Sequence, residues 1–196
     1  RAAEEVLEAL HLTRLWFIPA GEPPHKGHEI TPFPVRLEMA RLAVGDHPHL
    51  EVSDLEGRRP GKSYSIETLR TIRDLFGTDW ELYFILGLDA IFEIQTWKDG
   101  RELFSLSHFV VLDRPGYDRR GLGEFLRREI HPGFLPLSGK TGYQHPSGHK
   151  VLFQGTTLMD ISATGIRDLV GRGLSIRYLL PEVVRGFIIK HKLYLK

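Results

Sequence analysis

The sequence predicts an α/β fold built on a doubly wound parallel sheet, and three observations carry that expectation. Short apolar runs of strand length alternate with helix-periodic segments along the whole chain, the pattern of a parallel sheet covered on both faces. Hydrophobic residues make up 41% of the composition, enough for a sizeable core. The length of 196 residues suits one domain, and neither an internal repeat nor a linker divides it, so a single domain over 1–196 is expected, with its helical end (about 162–196) integral to it.

The elements follow in order. Ala2, Ala3, Val6, Leu7 and Leu10 share one helical face, which predicts a first helix. Arg14-Leu-Trp-Phe-Ile-Pro19 is an apolar run stopped by Pro and reads as a buried strand. After a loop to Pro32, residues Phe33 to Val44 are helical in pattern and Leu50 to Leu55 form a second strand. Ile66, Leu69, Ile72 and Phe76 mark a helix that Ser65 is expected to cap and Gly77 to end. Glu81 to Leu86 is the clearest strand, followed by short helices over Asp89 to Gln95 and Asp99 to Ser105 and a strand from His108 to Asp113. Residues 114–150 are the least ordered-looking part, with one helix near Gly123 to Ile130. Lys150 to Gln154 is a strand, Ser162 caps a helix stopped by Gly171 or Gly173, and a last helix runs from Val183 to Tyr194 with Pro181 in its first turn.

Composition excludes several roles. A formal net charge of +1 gives no field that favours a nucleic-acid polymer or an acidic membrane surface. The absence of cysteine removes disulfide and thiolate chemistry. No apolar run approaches the roughly 20 residues that span a bilayer. A cytoplasmic enzyme is the expectation. The chain opens at Arg1 directly into a helical pattern with no cap, and a cation with a free amino group opposes the helix dipole there. Residues are therefore expected to precede Arg1.

Five local features lie after expected strands, where ligands of open α/β sheets bind. They are Pro23-Pro-His-Lys26, Ser63-Tyr-Ser-Ile-Glu-Thr68, Gly87-Leu-Asp89, Thr96-Trp97 and Ile161-Ser-Ala-Thr-Gly-Ile-Arg167. Ser162 and Thr164 place hydroxyls beside free N–H groups at a helix start, which favours an anion, and Arg167 one turn on can reach the same phosphate. A plain Ser cap with a solvated Arg is the alternative. Gly87 permits close backbone approach and Asp89 can accept ribose hydroxyls, or can simply cap the next helix. Trp97 is a ligand platform or a partly buried anchor. The N–H groups opened by Tyr64 and Ser65 suit a carboxylate. His145 and His149 flank a turn and lack a third ligand, so no metal site is expected.

Taken in this order, the five features resemble the bacterial-type nicotinate mononucleotide adenylyltransferases of the nucleotidyltransferase superfamily. The resemblance runs from Arg1 to the C-terminus and includes Ser175-Ile-Arg-Tyr-Leu-Leu-Pro-Glu-Val-Val184. It implies a Rossmann-like nucleotidyltransferase fold and transfer of AMP from ATP to nicotinate mononucleotide, with Mg²⁺ carried by ATP. It implies that Ile161, Ser162, Thr164 and Arg167 hold the ATP phosphates and that Gly87 and Asp89 serve the adenosine side. It implies that Trp97 stacks on the nicotinate ring opposite the helix start at Tyr64 and Ser65, and that the loop of His25 and Lys26 walls the active site with Lys26 near phosphate; Arg114 is a further phosphate contact or simply solvated. His25-Lys-Gly-His28 spells the superfamily's His-x-Gly-His signature, but it follows the wrong strand and runs into Pro-rich sequence rather than a helix, so it is read as coincidence. The true signature is expected before Arg1, and the 196-residue chain alone is expected to have little activity. Two alternatives stay open, a pantetheine-phosphate adenylyltransferase and a non-catalytic nucleotide-binding protein. Homo-oligomerisation also stays open.

Overall fold

A computed structural model describes residues 1–24, 30–113, 116 and 118–195. The chain groups into two compact units, Arg1–Val6 with Ser63–Leu158 and Leu7–Lys62 with Met159–Lys196. Helix α1 (Ala2–Ala9) carries the chain from the first unit into the second.

The first unit is built on a five-stranded sheet in the order β3-β4-β7-β6-β5. Strands β3 (Tyr83–Gly87), β4 (His108–Leu112) and β7 (Lys150–Gln154) are mutually parallel, as the alternating pattern requires. The sheet is nevertheless mixed, because β5 (Leu135–Pro136) and β6 (Gly142–Gln144) run antiparallel to their neighbours. Only residues 145–149 join β6 to β7, far too few for a parallel crossover, so the pairing must be antiparallel. Gly142 makes that pairing possible. At φ +156 a Cβ on it would stand 1.9 Å from the Val151 carbonyl oxygen.

Central strand β4 has Phe109, Val110 and Val111 all buried, as a parallel strand covered on both faces should. One cluster joins Phe109, Val111 and Leu86 to helices α3 (Ser65–Phe76), α4 (Leu88–Glu93), α5 (Leu103–Leu106) and α6 (Leu122–Phe125, continuing as a π-helical turn to Ile130). Phe104 stacks on Phe109 at 4.3 Å between ring centroids and meets Phe134 edge-on at 5.6 Å. At the amino ends of β4 and β7 lies a group of histidines. The Ser147 hydroxyl sits 2.8 Å from His145 Nδ1 and 3.0 Å from His149 Nδ1, and His108 Nδ1 accepts the Lys150 N–H at 3.0 Å.

In the second unit β1 (Leu15–Phe17) and β2 (Leu50–Val52) form a two-stranded parallel sheet. Helix α2 (Phe33–Val44) packs beside it, entered through Pro32 and Pro34, which suit a first turn, and closed by Gly45 at φ 61. Helices α7 (Ala163–Gly171) and α8 (Glu182–Lys190) enclose Ile176, Val184 and Ile188, against which Met39 and Leu42 of α2 also pack. Thr31 donates to the Tyr194 hydroxyl at 3.2 Å, linking the two sequence-distant parts of this unit. Among the described residues no helix is long and apolar enough to cross a membrane.

Candidate functional site

The three parallel strands of the first unit end abreast. Gly87 pairs with Leu112 and Leu112 with Gln154, so Leu88, Asp113 and Gly155 leave the sheet side by side. This is the edge at which open α/β sheets receive ligands. Gly87 is the extended N-cap residue of α4 (φ −77, ψ 160) and no side chain caps that helix. Asp89 therefore sits in the first turn rather than serving as the cap, with its carboxylate at the positive end of the helix.

Helix α3 begins differently from the sequence expectation. Tyr64, in extended conformation, occupies the N-cap position and Ser65 is the first helical residue, so Ser65 does not cap. No side chain takes the cap hydrogen bond. The first intrahelical bonds run from Glu67 and Thr68 to the Tyr64 carbonyl at 3.1 and 3.2 Å. By helix geometry, the N–H groups of Ser65 and Ile66 have no partner within the helix.

Trp97 ends a 3₁₀ turn over Ile94–Thr96 and is half-buried. Its indole meets Phe84 of β3 edge-on at 6.3 Å, and Tyr64, Phe84 and Trp97 all pack on the same apolar cluster. The anchoring is real, and the residue as a whole stays half-buried. The turn after Trp97 is tightly constrained. Gly100 donates to the Trp97 carbonyl at 3.0 Å, and a Cβ on it would lie 2.0 Å from the Ile94 oxygen. Asp99 there is left-handed at φ 49, which limits the expected helix over 99–105 to Leu103–Leu106.

In the second unit, Ser162 caps α7 as its type predicts. Its Oγ accepts the Gly165 N–H at 3.0 Å, leaving Ala163 and Thr164 at the helix start without an intrahelical acceptor. Thr164 Oγ1 accepts from the Arg167 guanidinium at 3.0 Å, so the two side chains converge on the first turn. Ile161 beside them is 41% exposed. A hydroxyl cap, free N–H groups and a planar cation in one turn form an arrangement suited to phosphate oxygens. His25, Lys26 and Arg114, and with them the His25–His28 sequence, lie outside the described residues.

Sequence reasoning did not single out Glu67 and Lys98, whose link spans 31 positions. Lys98 Nζ lies 2.5 Å from Glu67 Oε1 and 4.6 Å from the Tyr64 ring centroid. The hydrogen bond to Glu67 raises the Lys98 pKa above its ordinary value, so the ammonium stays charged. Among the described residues no group of three His, Asp or Glu side chains is placed to hold a metal ion.

Comparison with known proteins shows the family. Residues 1–169 match the cytidylyltransferase-like family. A protein of Syntrophotalea carbinolica, described as a probable nicotinate-nucleotide adenylyltransferase, is 45% identical over 196 residues, covering 99% of this chain and 89% of that one. The chain belongs to the nicotinate-nucleotide adenylyltransferase family. A second relative, from Geotalea daltonii and described in the same words, is 42% identical over 196 residues, 99% of this chain and 90% of the other. A solved structure, Plasmodium falciparum nicotinic acid mononucleotide adenylyltransferase complexed with NaAD, aligns at a TM-score of 0.71 over 98% of this chain and 90% of that one. Its 19% identity makes this evidence of fold, and it supports the Rossmann-like nucleotidyltransferase architecture. The motif order had pointed to this adenylyltransferase family.

Proposed function

We propose that this chain transfers AMP from ATP to nicotinate mononucleotide, yielding nicotinate adenine dinucleotide and pyrophosphate. The observation that carries the reading is full-length similarity, at 40 to 45% identity, to relatives that all bear the nicotinate-nucleotide adenylyltransferase description. A mononucleotide phosphate oxygen attacks the α-phosphorus of ATP. A new P–O bond forms, the bond to the β-phosphate bridge breaks, and its electron pair leaves with pyrophosphate. The attacking phosphate is already ionised at neutral pH, so the protein need supply neither nucleophile nor base. Its task is alignment and stabilisation of growing charge.

In this reading the start of α7, with Ser162, Thr164 and Arg167 beside Ile161, holds phosphate oxygens of ATP, while Gly87 and Asp89 take the adenosine side. Trp97 stacks on the nicotinate ring, and the helix start at Tyr64 and Ser65 presents its N–H groups to the carboxylate. His25, Lys26 and Arg114 serve substrate phosphate. Magnesium enters as the ATP complex, held by phosphate oxygens and water. A cytoplasmic location fits this reading.

The test is steady-state turnover of the full-length protein with ATP and nicotinate mononucleotide, following dinucleotide by ion-exchange chromatography and pyrophosphate by a coupled assay. Equal amounts of the two products are expected. Trp97→Ala should raise KM for the mononucleotide by roughly 10- to 100-fold, the range for loss of base stacking, and leave KM for ATP unchanged. Turnover with pantetheine phosphate and none with nicotinate mononucleotide would overturn the reading.

A further inference from the structure

We infer that Lys98 is a positioning residue, a cation that locks the Trp97 turn onto the start of α3 and so fixes the width of the slot for the nicotinate ring. This rests on the reading above, in which Trp97 and Tyr64 face that ring.

The backbone of the Trp97 turn is held by its own hydrogen bonds to Ile94 and Gly100, and the indole packs on the apolar cluster, but none of these hydrogen bonds ties the turn to the start of α3. The indole touches Phe84 by an edge and is only half-buried, and it sits on a short turn. The next residue supplies the tie. Lys98 Nζ reaches back across 31 positions to Glu67 Oε1 at 2.5 Å while standing 4.6 Å from the Tyr64 ring centroid. One ammonium therefore joins three things, the Trp97 turn, the first turn of α3, and the aromatic face at the α3 N-cap.

A second tie runs parallel to it one helical step along. Arg70 of α3 grips Glu102 with two nitrogens, Nε to Oε1 at 3.2 Å and a terminal nitrogen to Oε2 at 2.6 Å, and reaches Asp99 at 3.4 Å. Residues 67 and 70 are neighbours on one helix face. Both thus reach the segment that carries the turn, Lys98 to Glu102. The Arg70 pairs hold Asp99 and Glu102 of that segment. Lys98 fixes the end adjacent to Trp97.

The chemistry asks for a long cation at position 98. A carboxylate partner and a π-face partner at once need a charged, flexible side chain that can lie over a ring. Methionine keeps length and loses both attractions, whereas arginine keeps both. An exposed ion pair and an exposed cation–π contact are each modest, so removal of Lys98 should loosen the slot by about fivefold in binding rather than abolish it.

The experiment compares wild type, Lys98→Met, Lys98→Arg, Glu67→Gln and the Glu67→Gln/Lys98→Met double variant of the full-length protein. KM and kcat are measured for each substrate, with a thermal melt for each variant. Lys98→Met should raise KM for nicotinate mononucleotide about fivefold, while kcat and KM for ATP stay within twofold of wild type. Lys98→Arg should return KM to within about twofold of wild type. The double variant should be no worse than Lys98→Met, because the pair is already broken. A rise in both KM values together, without rescue by arginine, marks a merely structural role and overturns the inference. So does an unchanged KM for the mononucleotide in Lys98→Met. If wild-type enzyme makes no dinucleotide at all, the functional reading falls, and this inference falls with it.

Discussion

Ser162 offers the sharpest perturbation, because one hydroxyl is assigned two duties that separate under substitution. Its Oγ caps α7 through Gly165, and the same helix start is assigned to ATP phosphates. Ser162→Ala removes the cap at a cost of about 1 kcal/mol, which lowers Tm by roughly 2–4 °C in a chain of this size. Ser162→Asp keeps the cap, since aspartate caps as well as serine, and adds a negative charge to the helix start. At about 5 Å from a phosphate charge, with an effective dielectric near 20, the repulsion is about 3 kcal/mol. That corresponds to roughly two orders of magnitude in kcat/KM for ATP. The assay is a melt of both variants beside steady-state kinetics with ATP varied. The expected result is a crossed pattern. Alanine should lose stability with a smaller loss of activity, and aspartate should keep Tm and lose activity. An aspartate variant whose kcat/KM for ATP stays within threefold of the alanine variant would refute the phosphate assignment. One that melts like alanine would refute the cap.

Two further outcomes concern the first unit. Gly142→Ala forces a Cβ onto the Val151 carbonyl and strains β7 against β6, which should cost roughly 1–3 kcal/mol or more, visible as a lower urea midpoint. The histidines at the amino ends of β4 and β7 should make stability pH-dependent. Burial lowers the pKa of His108, His145 and His149, reinforced by Lys150 and Arg73 at His108, by His131 and His149 at His145, and by His108 and Arg73 at His149, while Glu81 opposes the shift at His108. The unfolded chain then binds protons first, so stability should hold above about pH 6.5, fall as pH drops below it, and level off once the folded histidines are themselves protonated. Melts between pH 8 and 5 read this directly, and His149→Gln should flatten the slope. A melting temperature independent of pH over that range would contradict the burial argument.

Much of the framework was legible because local rules dominate it. Pro and Gly bracket α2 and place it at Phe33–Val44 with no error, and Gly77 at positive φ closes α3 where its residue type predicts. Ser162 behaves as its type and position require. Ser65 does not, because the Tyr64 backbone already takes the extended cap conformation and serine is drawn into the helix. Strands β5 and β6 were missed for a physical reason. They are two and three residues long, and what β6 contributes to its pairing with β7 is the missing side chain of Gly142, not an apolar run. The Lys98–Glu67 and Arg70–Glu102 pairs leave no trace in local spacing. Charges 31 and 32 positions apart meet only because the chain folds between them.

The interleaving of the two units has a consequence for biogenesis. Glu5 accepts the Thr157 N–H at 2.7 Å and its hydroxyl at 2.5 Å, and these bonds hold the Glu5 pKa down to about 2. A contact spanning 152 positions thus fastens the opening residues of the first unit to its last. The second unit likewise waits for Tyr194 to meet Thr31. Glu5 must therefore wait for Thr157, and Thr31 for Tyr194, so these early segments lack their distant partners while the residues between are synthesised, when exposed apolar faces are open to chaperones and to misassembly. Refolding from denaturant, where the entire chain is present from the start, should therefore be a gentler route than synthesis.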